Sequence, residues 1–245
     1  MTKLDFFKFE NKNDDFPFYN GNPISFTYSQ GTFLLLVSIL TVVMYQVIGK
    51  SMPTFVQPIF NIIFPLGAIM LVVKSNWTKI FRKIRFKDIL LIIGVVIFNF
   101  IVNMLIGIIM SKFAGAGANP AVNLIQENSL AENIVFFLKM IPMLLGEELI
   151  TIIPFLVILA FATKVLKFSR KKAIILAWIL SAIIFGALHL PTYNWNIAQA
   201  VLGISVSRLV LTFPYVKTKN IWTSLIVHVL NDWLLFLPAL LASLV

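Results

Sequence analysis

Long apolar runs alternate with short polar segments along the chain. A helix that spans a bilayer needs roughly 20 largely apolar residues, and seven stretches meet this requirement: about 32–49, 55–73, 89–110, 134–163, 173–190, 196–214 and 221–243. The fourth run contains Pro142 and Pro154 and is longer than one span requires. The pattern therefore predicts an all-α fold, a polytopic membrane helix bundle with seven transmembrane helices, or eight if the fourth run divides.

Basic residues collect in three of the polar segments between these runs. They are Lys74, Lys79, Arg82, Lys83, Arg85 and Lys87 after the second run, Lys164, Lys167, Arg170, Lys171 and Lys172 after the fourth, and Lys217 and Lys219 after the sixth. A single crossing by the fourth run places all three clusters on one side, which the positive-inside rule makes cytoplasmic. The N-terminus is then cytoplasmic. The Gly- and Asn-rich segment 111–130 becomes an external loop, which we expect to be mobile.

Composition supports a membrane protein with one domain. Of the 245 residues, 59% are hydrophobic and 12% are charged, about half the charged fraction of a soluble domain. The net charge of +10 follows the loop clusters, so we expect the lipid bilayer as partner and no nucleic acid. We predict a polar cytoplasmic N-terminal tail over 1–30 and a single transmembrane domain over 31–245. The first run has no small-residue cleavage site after it, which favours an uncleaved signal-anchor.

Seven ionisable residues fall inside the predicted spans: Lys139, Glu147, Glu148, His189, Arg208, His228 and Asp232. Charged groups at bilayer depth are costly and usually mark a functional site. The set includes both histidines of the chain. Snorkelling toward the cytoplasm is the favoured interpretation of Arg208, with pairing to a glutamate or binding of a substrate as alternatives.

The chemistry open to these residues is limited because the chain has no cysteine. Glutamate and histidine can activate a water molecule, and His228 with Asp232 can stabilise an oxyanion. Alternatively, two histidines and a carboxylate form the ligand set of a hydrolytic zinc site, with Glu147, His189 and His228 as the candidate ligands. Adjacent residues of a helix point about 100° apart, so Glu147 and Glu148 are expected to have different roles.

Three motifs in order resemble the CPBP family of intramembrane proteases, which includes CAAX prenyl protease 2 and the Abi bacteriocin-processing and immunity proteins. They are EELITI with Glu147 and Glu148, FGALH ending at His189, and HVLND with His228 and Asp232. The resemblance covers about residues 130–235. It implies that Glu147 and His189 activate the attacking water, that His228 and Asp232 form the oxyanion site, and that Glu148 supports them. Family members are described with zinc and with metal-free glutamate mechanisms.

One position departs from the family pattern. Ile152 stands where the family has an arginine. The departure leaves three possibilities: Arg208 substitutes as the cation, the site is altered, or catalysis is lost.

The resemblance implies an endopeptidase that cleaves a membrane-associated peptide or protein. The Lys-, Asn-, Ile- and Phe-rich composition indicates a multi-pass protein of a bacterial cell membrane, for which bacteriocin maturation or self-immunity is the expected role. The alternative is a non-catalytic immunity protein, or a proton-coupled transporter, that uses the same buried Glu and His residues. A scaffold with an incidental polar network is a third interpretation.

Overall fold

A computed structural model describes residues 5–53, 55–113, 115, 117 and 119–244. Its helices are α1 (Tyr28–Ile48), α2 (Gln57–Val73), α3 (Phe86–Phe113), α4 (Pro120–Glu127), α5 (Leu130–Lys164), α6 (Arg170–Leu188), α7 (Ser205–Thr218) and α8 (Ile221–Ala242). Shorter turns of 3₁₀-helix cover Gly49–Ser51, Lys74–Ile80 and Leu190–Tyr193, and a π-helix over Ala198–Ile204 leads into α7. The described part of the chain contains no strand.

Among the described residues, seven helical stretches are long and apolar enough to cross a membrane. They are Tyr28–Ile48, Gln57–Ile80, Phe86–Phe113, Leu130–Lys164, Arg170–Leu188, Ala198–Thr218 and Ile221–Ala242. The prediction of an all-α bundle with seven spans is therefore confirmed. The fourth run forms one continuous helix despite its two internal prolines, because neighbouring helices in a bundle can compensate the carbonyl groups that proline leaves without a donor.

Helix α5 lies at the centre of the bundle. It is the most buried of the seven spans and contacts α1, α2, α6 and α8. Its start is fixed by a capping box, in which Ser129 and Glu132 each satisfy the other's backbone N–H. The other spans expose many large apolar side chains, as expected for helices that face lipid.

The segment 111–130 is more ordered than the sequence predicted. Residues 120–127 form α4, which begins at Pro120 and is capped by the Asn119 side chain. Ile125 is fully buried against α5 and α8, and its carbonyl accepts a hydrogen bond of 2.9 Å from Asn133. Within this segment, residues 114, 116 and 118 lie outside the described residues.

Residues 5–26, the N-terminal segment, pack against the end of the bundle that bears the basic loops. Phe16 contacts Phe155 of α5 and Tyr215 of α7, and four of the segment's aromatic side chains join the main core cluster: Phe16, Phe18, Tyr19 and Phe26. The tail predicted over 1–30 is thus largely packed against the helices.

The N-terminal segment fills a recess beneath the turn between α7 and α8. The rings of Phe155 on α5 and Tyr215 on α7 are in contact, so the two residues lie at the same height in the bundle. From this height α5 continues for nine residues, whereas α7 continues for only four before its turn at Lys219. At 1.5 Å per residue, the turn stops roughly 7 Å short of the end of α5. Lys219 is accordingly 0% exposed, although it belongs to a loop cluster.

Candidate active site

The two adjacent glutamates follow a tight crossing between α5 and α2. A Cβ atom on Gly146 would lie 2.8 Å from the backbone carbon of Asn61 and 2.9 Å from its oxygen, so only glycine allows this approach. The crossing places Glu147 on a cavity shared with α1 and α2, while Glu148 turns into the protein interior, 0% exposed. The expected division of the pair into two environments is present.

Glu148 is held by side chains from α7 and α8. Its Oε1 lies 2.8 Å from Arg208 Nη2 and 2.9 Å from His228 Nδ1, while Ser224 Oγ donates a short hydrogen bond to Oε2. Charge-assisted contacts of this kind can offset the loss of hydration of a buried carboxylate. Glu148 therefore organises the neighbouring side chains and does not itself face the cavity.

Arg208 is fully buried, so the favoured interpretation that it snorkels is wrong. Its guanidinium carbon lies 4.5 Å from the centroid of the Phe185 ring, and Nη1 lies 3.2 Å from His228 Nδ1. Ile152, one turn after Glu148 on α5, is buried in the main apolar core. Of the three possibilities raised by Ile152, the structure matches the one in which Arg208 takes the place of the family arginine, because the cation beside Glu148 comes from α7.

His228 lies between the buried ion pair and two further carboxylates. Its Nε2 is 3.8 Å from Glu147 Oε2 and 3.9 Å from Asp232 Oδ1. These separations exceed the length of a hydrogen bond, so Nε2 and both carboxylates retain capacity to bind water or substrate. On the other side of the ring, Nδ1 donates to Glu148 when it carries a proton and accepts from Arg208 when it does not.

His189 reaches the same site from the end of α6. Its Nδ1 lies 2.8 Å from the Phe185 carbonyl oxygen. A carbonyl oxygen only accepts, so Nδ1 carries the proton and Nε2 of the neutral ring is an acceptor. His189 and Glu147 line one cavity of about 100 Å³, together with Tyr45, Gln46 and Asn61 from α1 and α2. The structure thus brings the five predicted site residues into one region.

Tyr193 lies beside the carboxylates, one turn past His189. Burial, followed by the negative charges of Asp232 and Glu147, raises the pKa of Tyr193 to about 12. Its hydroxyl therefore keeps its proton at neutral pH, and it accepts a hydrogen bond of 3.3 Å from Asn119. Tyr193 was not among the residues predicted from the sequence.

A chain of amides supports Asp232 and was also missed. Asn231 donates to Asp232 at 3.0 Å and accepts from Asn99 at 2.9 Å and Asn103 at 3.2 Å. Asn99 and Asn103 are four apart on α3, so they share one face. That spacing of amides inside an apolar run was the available signal, because polar side chains in membrane helices usually bond across helices.

The described residues do not form a ready metal site. No group of three or more Asp, Glu or His side chains among them is close enough to hold an ion. Glu147, His189 and His228 lie around the same region, and each histidine contacts a protein group through Nδ1, which leaves Nε2 as the ring nitrogen that can bind water or a ligand.

Residues 129–234 match the family model described as type II CAAX prenyl endopeptidase Rce1-like. This region is similar to that family. It spans α5 to most of α8 and includes all five predicted site residues, so the resemblance drawn from the three motifs is confirmed. The matched region is a little under half of the chain, and α1, α2, α3 and α4 lie outside it. Comparisons with curated proteins and with solved structures gave no match.

The Rce1-like family is a protease family of CAAX-type endopeptidases. Together with seven helices that are apolar enough to span a bilayer, the match indicates a multi-pass membrane protein similar to intramembrane peptidases.

Proposed function

We propose that this protein is an intramembrane endopeptidase that cleaves a membrane-associated peptide or protein. The observation that carries the proposal is the placement of Glu147 and His228 Nε2, 3.8 Å apart, with His189 on the wall of the same cavity as Glu147. A carboxylate that shares a small cavity with one imidazole and lies close to a second supplies the groups that hydrolysis of an amide requires.

In the proposed reaction, Glu147 is the general base. Its carboxylate takes a proton from a water molecule whose second hydrogen is bound by His189 Nε2. The water oxygen attacks the peptide carbon, and the carbonyl electron pair moves to the oxygen. When the tetrahedral intermediate collapses, the C–N bond breaks and the leaving amine takes the proton from Glu147. One water is consumed, and the products are a carboxylic acid and an amine, which become a carboxylate and an ammonium group at neutral pH.

His228 and Asp232 are proposed to bind the developing oxyanion. A proton on His228 Nε2 would donate to the negative oxygen, and donors placed where charge develops lower the barrier most. Asp232, 3.9 Å from the same nitrogen, favours that protonated form. Glu148 and Arg208 act through His228, whose ring they hold in place from the Nδ1 side.

Bacteriocin maturation or self-immunity is the proposed biological role, carried from the family resemblance. The alternative roles, a non-catalytic immunity protein or a proton-coupled transporter, rely on the same residues without peptide cleavage. Zinc held by Glu147, His189 and His228 remains a prediction that a chelator can test.

The test compares membranes that contain the wild-type protein with membranes that contain Glu147→Gln or His189→Ala at equal expression. Mass spectrometry identifies new peptide termini, with and without a chelator. We expect termini that appear only with wild type. Glu127→Gln, the same chemical change at an exposed position of α4, should keep them. Their loss with the chelator would show a metal requirement.

Identical termini in all membranes would refute the endopeptidase. Peptide resistance that persists in both variants would then support a non-catalytic immunity protein. Flux that depends on a proton gradient would support a transporter.

A further inference from the structure

Asn61 of α2 carries a buried amide without a hydrogen-bond partner in the described part of the chain. The residue is 6% exposed, and neither its Oδ1 nor its Nδ2 makes a hydrogen bond to another described residue. Buried amides are nearly always hydrogen-bonded, because an unpaired one loses its hydration without compensation. Every other buried asparagine of the described chain makes at least one such bond: Asn99, Asn133, Asn220 and Asn231. Asn61 therefore stands out as a group that is ready to bind a ligand.

The amide of Asn61 lies beside the proposed general base. A Cβ atom on Gly146 would lie 2.5 Å from the Cβ of Asn61, so α2 packs directly on the backbone of α5 at this point. Glu147 is the next residue of α5, and Asn61, Glu147 and His189 line one cavity. Three elements, α2, α5 and the end of α6, thus bring an unpartnered amide and the catalytic groups to the same space.

The size of this cavity limits what the amide can bind. Its volume is about 100 Å³, which equals roughly three water molecules of about 30 Å³ each. An α-helix with its side chains is about 10–12 Å wide and has its backbone groups paired internally, so a helical segment neither fits nor offers free groups. A peptide in extended form offers free N–H and C=O groups. A side-chain amide also carries a donor and an acceptor, so the two are complementary.

We propose that Asn61 hydrogen-bonds the backbone of the peptide substrate next to the scissile bond. The inference rests on the proposed function and assigns a substrate-binding group on α2, outside the region 129–234 that matches the family model. Asn61 holds the extended backbone against Glu147 and His189. Because the bond is made to the backbone, recognition at this point is independent of the substrate's side chains.

The decisive experiment measures binding in the absence of cleavage. Full-length Glu147→Gln protein is placed in phosphatidylcholine nanodiscs, and nanodiscs without protein report partition into lipid. The probes are short fluorescein-labelled peptides of leucine and alanine, and analogues in which alternate backbone amides are replaced by esters. An ester has no N–H and a weaker acceptor carbonyl, whereas the side chains are unchanged. After correction for lipid, fluorescence anisotropy should show about threefold to tenfold tighter binding of the all-amide peptide.

Three further substitutions in the Glu147→Gln background assign this preference to Asn61. Asn61→Leu keeps a side chain of similar size and should remove most of the preference. Its unfolding midpoint should stay level or rise, because no hydrogen bond within the described chain is lost. Asn61→Ala, which removes the amide without adding volume beside Gly146, should lose the preference as well. Asn133→Leu is the matched control: it breaks a bond of 2.9 Å to the Ile125 carbonyl, so it should lower the midpoint and keep the preference.

An unchanged preference in Asn61→Leu and Asn61→Ala would overturn the inference and leave water as the partner of the amide. Cleavage in membranes separates this failure from that of the proposed function. If the preference depends on Asn61 while no termini depend on Glu147, the backbone-binding site stands and the endopeptidase does not. If Glu147-dependent termini keep their wild-type abundance in Asn61→Leu, the endopeptidase stands and the role of Asn61 does not. A threefold to tenfold fall in their abundance would support both.

Discussion

Three helices meet at the carboxylate of Glu148. Arg208 and His228 contact one carboxylate oxygen and Ser224 the other, so the position of the imidazole depends on a charge that no solvent reaches. Removing one partner of a buried ion pair lowers stability more than replacing both partners with apolar residues, because the charge that remains is buried without compensation.

Arg208→Met should lower the free energy of unfolding by about 3–5 kcal/mol and reduce Glu147-dependent cleavage. Adding Ile152→Arg to this variant returns the cation to the position where the family has its arginine, and should recover part of both losses. Thermal unfolding in nanodiscs and counts of new peptide termini measure the two effects. An Arg208→Met protein with wild-type stability would contradict the role assigned to the ion pair.

Gly146→Ala should disturb the site through the helix crossing beneath it. The added methyl group meets the backbone of Asn61, and forced overlap in a packed interior costs about 1–3 kcal/mol. Gly107→Ala is the matched control, since a Cβ there meets nothing within 4 Å. The midpoint temperature of thermal unfolding should fall for Gly146→Ala and stay level or rise for Gly107→Ala. Equal midpoints for the two variants would show that α2 can move away from the added methyl group without loss of stability.

At the scale of secondary-structure elements, the N-terminal segment covers the turn between α7 and α8 and buries Lys219. Glu10 receives hydrogen bonds of 2.8 and 2.7 Å from Arg170 and lies 2.9 Å from Lys219 Nζ. Burial by itself would raise the pKa of Glu10, but the bonds from Arg170, the Phe7 N–H and Lys219 bring it below its ordinary value. One carboxylate therefore joins the starts of α6 and α8 to the N-terminal segment.

Glu10 should make stability depend on pH. At pH values between the lowered pKa of Glu10 in the folded protein and the ordinary pKa of a glutamate, the unfolded chain binds more protons than the folded protein. The stabilisation by Glu10 is therefore complete above the ordinary pKa and is lost as the pH falls through the folded-state pKa. The unfolding midpoint should drop between pH 7 and about pH 3, and less so in Glu10→Gln. Asp5→Asn, which removes an exposed pair with Lys171, should keep the full pH dependence. Parallel pH curves for wild type and Glu10→Gln would contradict this assignment.

For the whole molecule, the spans were readable from sequence because lipid demands long apolar runs, whatever the packing. The five site residues were readable because charges stand out in such runs. Tyr193 was not, since the role of a phenol depends on its neighbours in space. The spacing of Asn99 and Asn103 in an apolar run was a signal, but their partner Asn231 is identified only by the structure. Burial of the Lys219 turn was also hidden, because it depends on residues 5–26, which read as a polar tail despite their aromatic side chains.

The orientation of the molecule remains a prediction with a direct test. The chain has no native cysteine, so single cysteines report sidedness without background. Ser111→Cys at the end of α3 should react with an impermeant maleimide in intact cells, whereas Lys172→Cys in the second basic cluster should react only after permeabilisation. The reverse pattern would place the basic loops outside.

The contact between Glu10 and Arg170 joins residues 160 positions apart, and this separation bears on synthesis. Glu10 leaves the ribosome before α1, whereas Arg170 and Lys219 follow only after most of the bundle has been made. The aromatic residues of the N-terminal segment are therefore present at the membrane surface before the six spans that precede Lys219 have been inserted. Final packing against the α7–α8 turn then becomes a late event in biogenesis, completed by residues that are translated before α1.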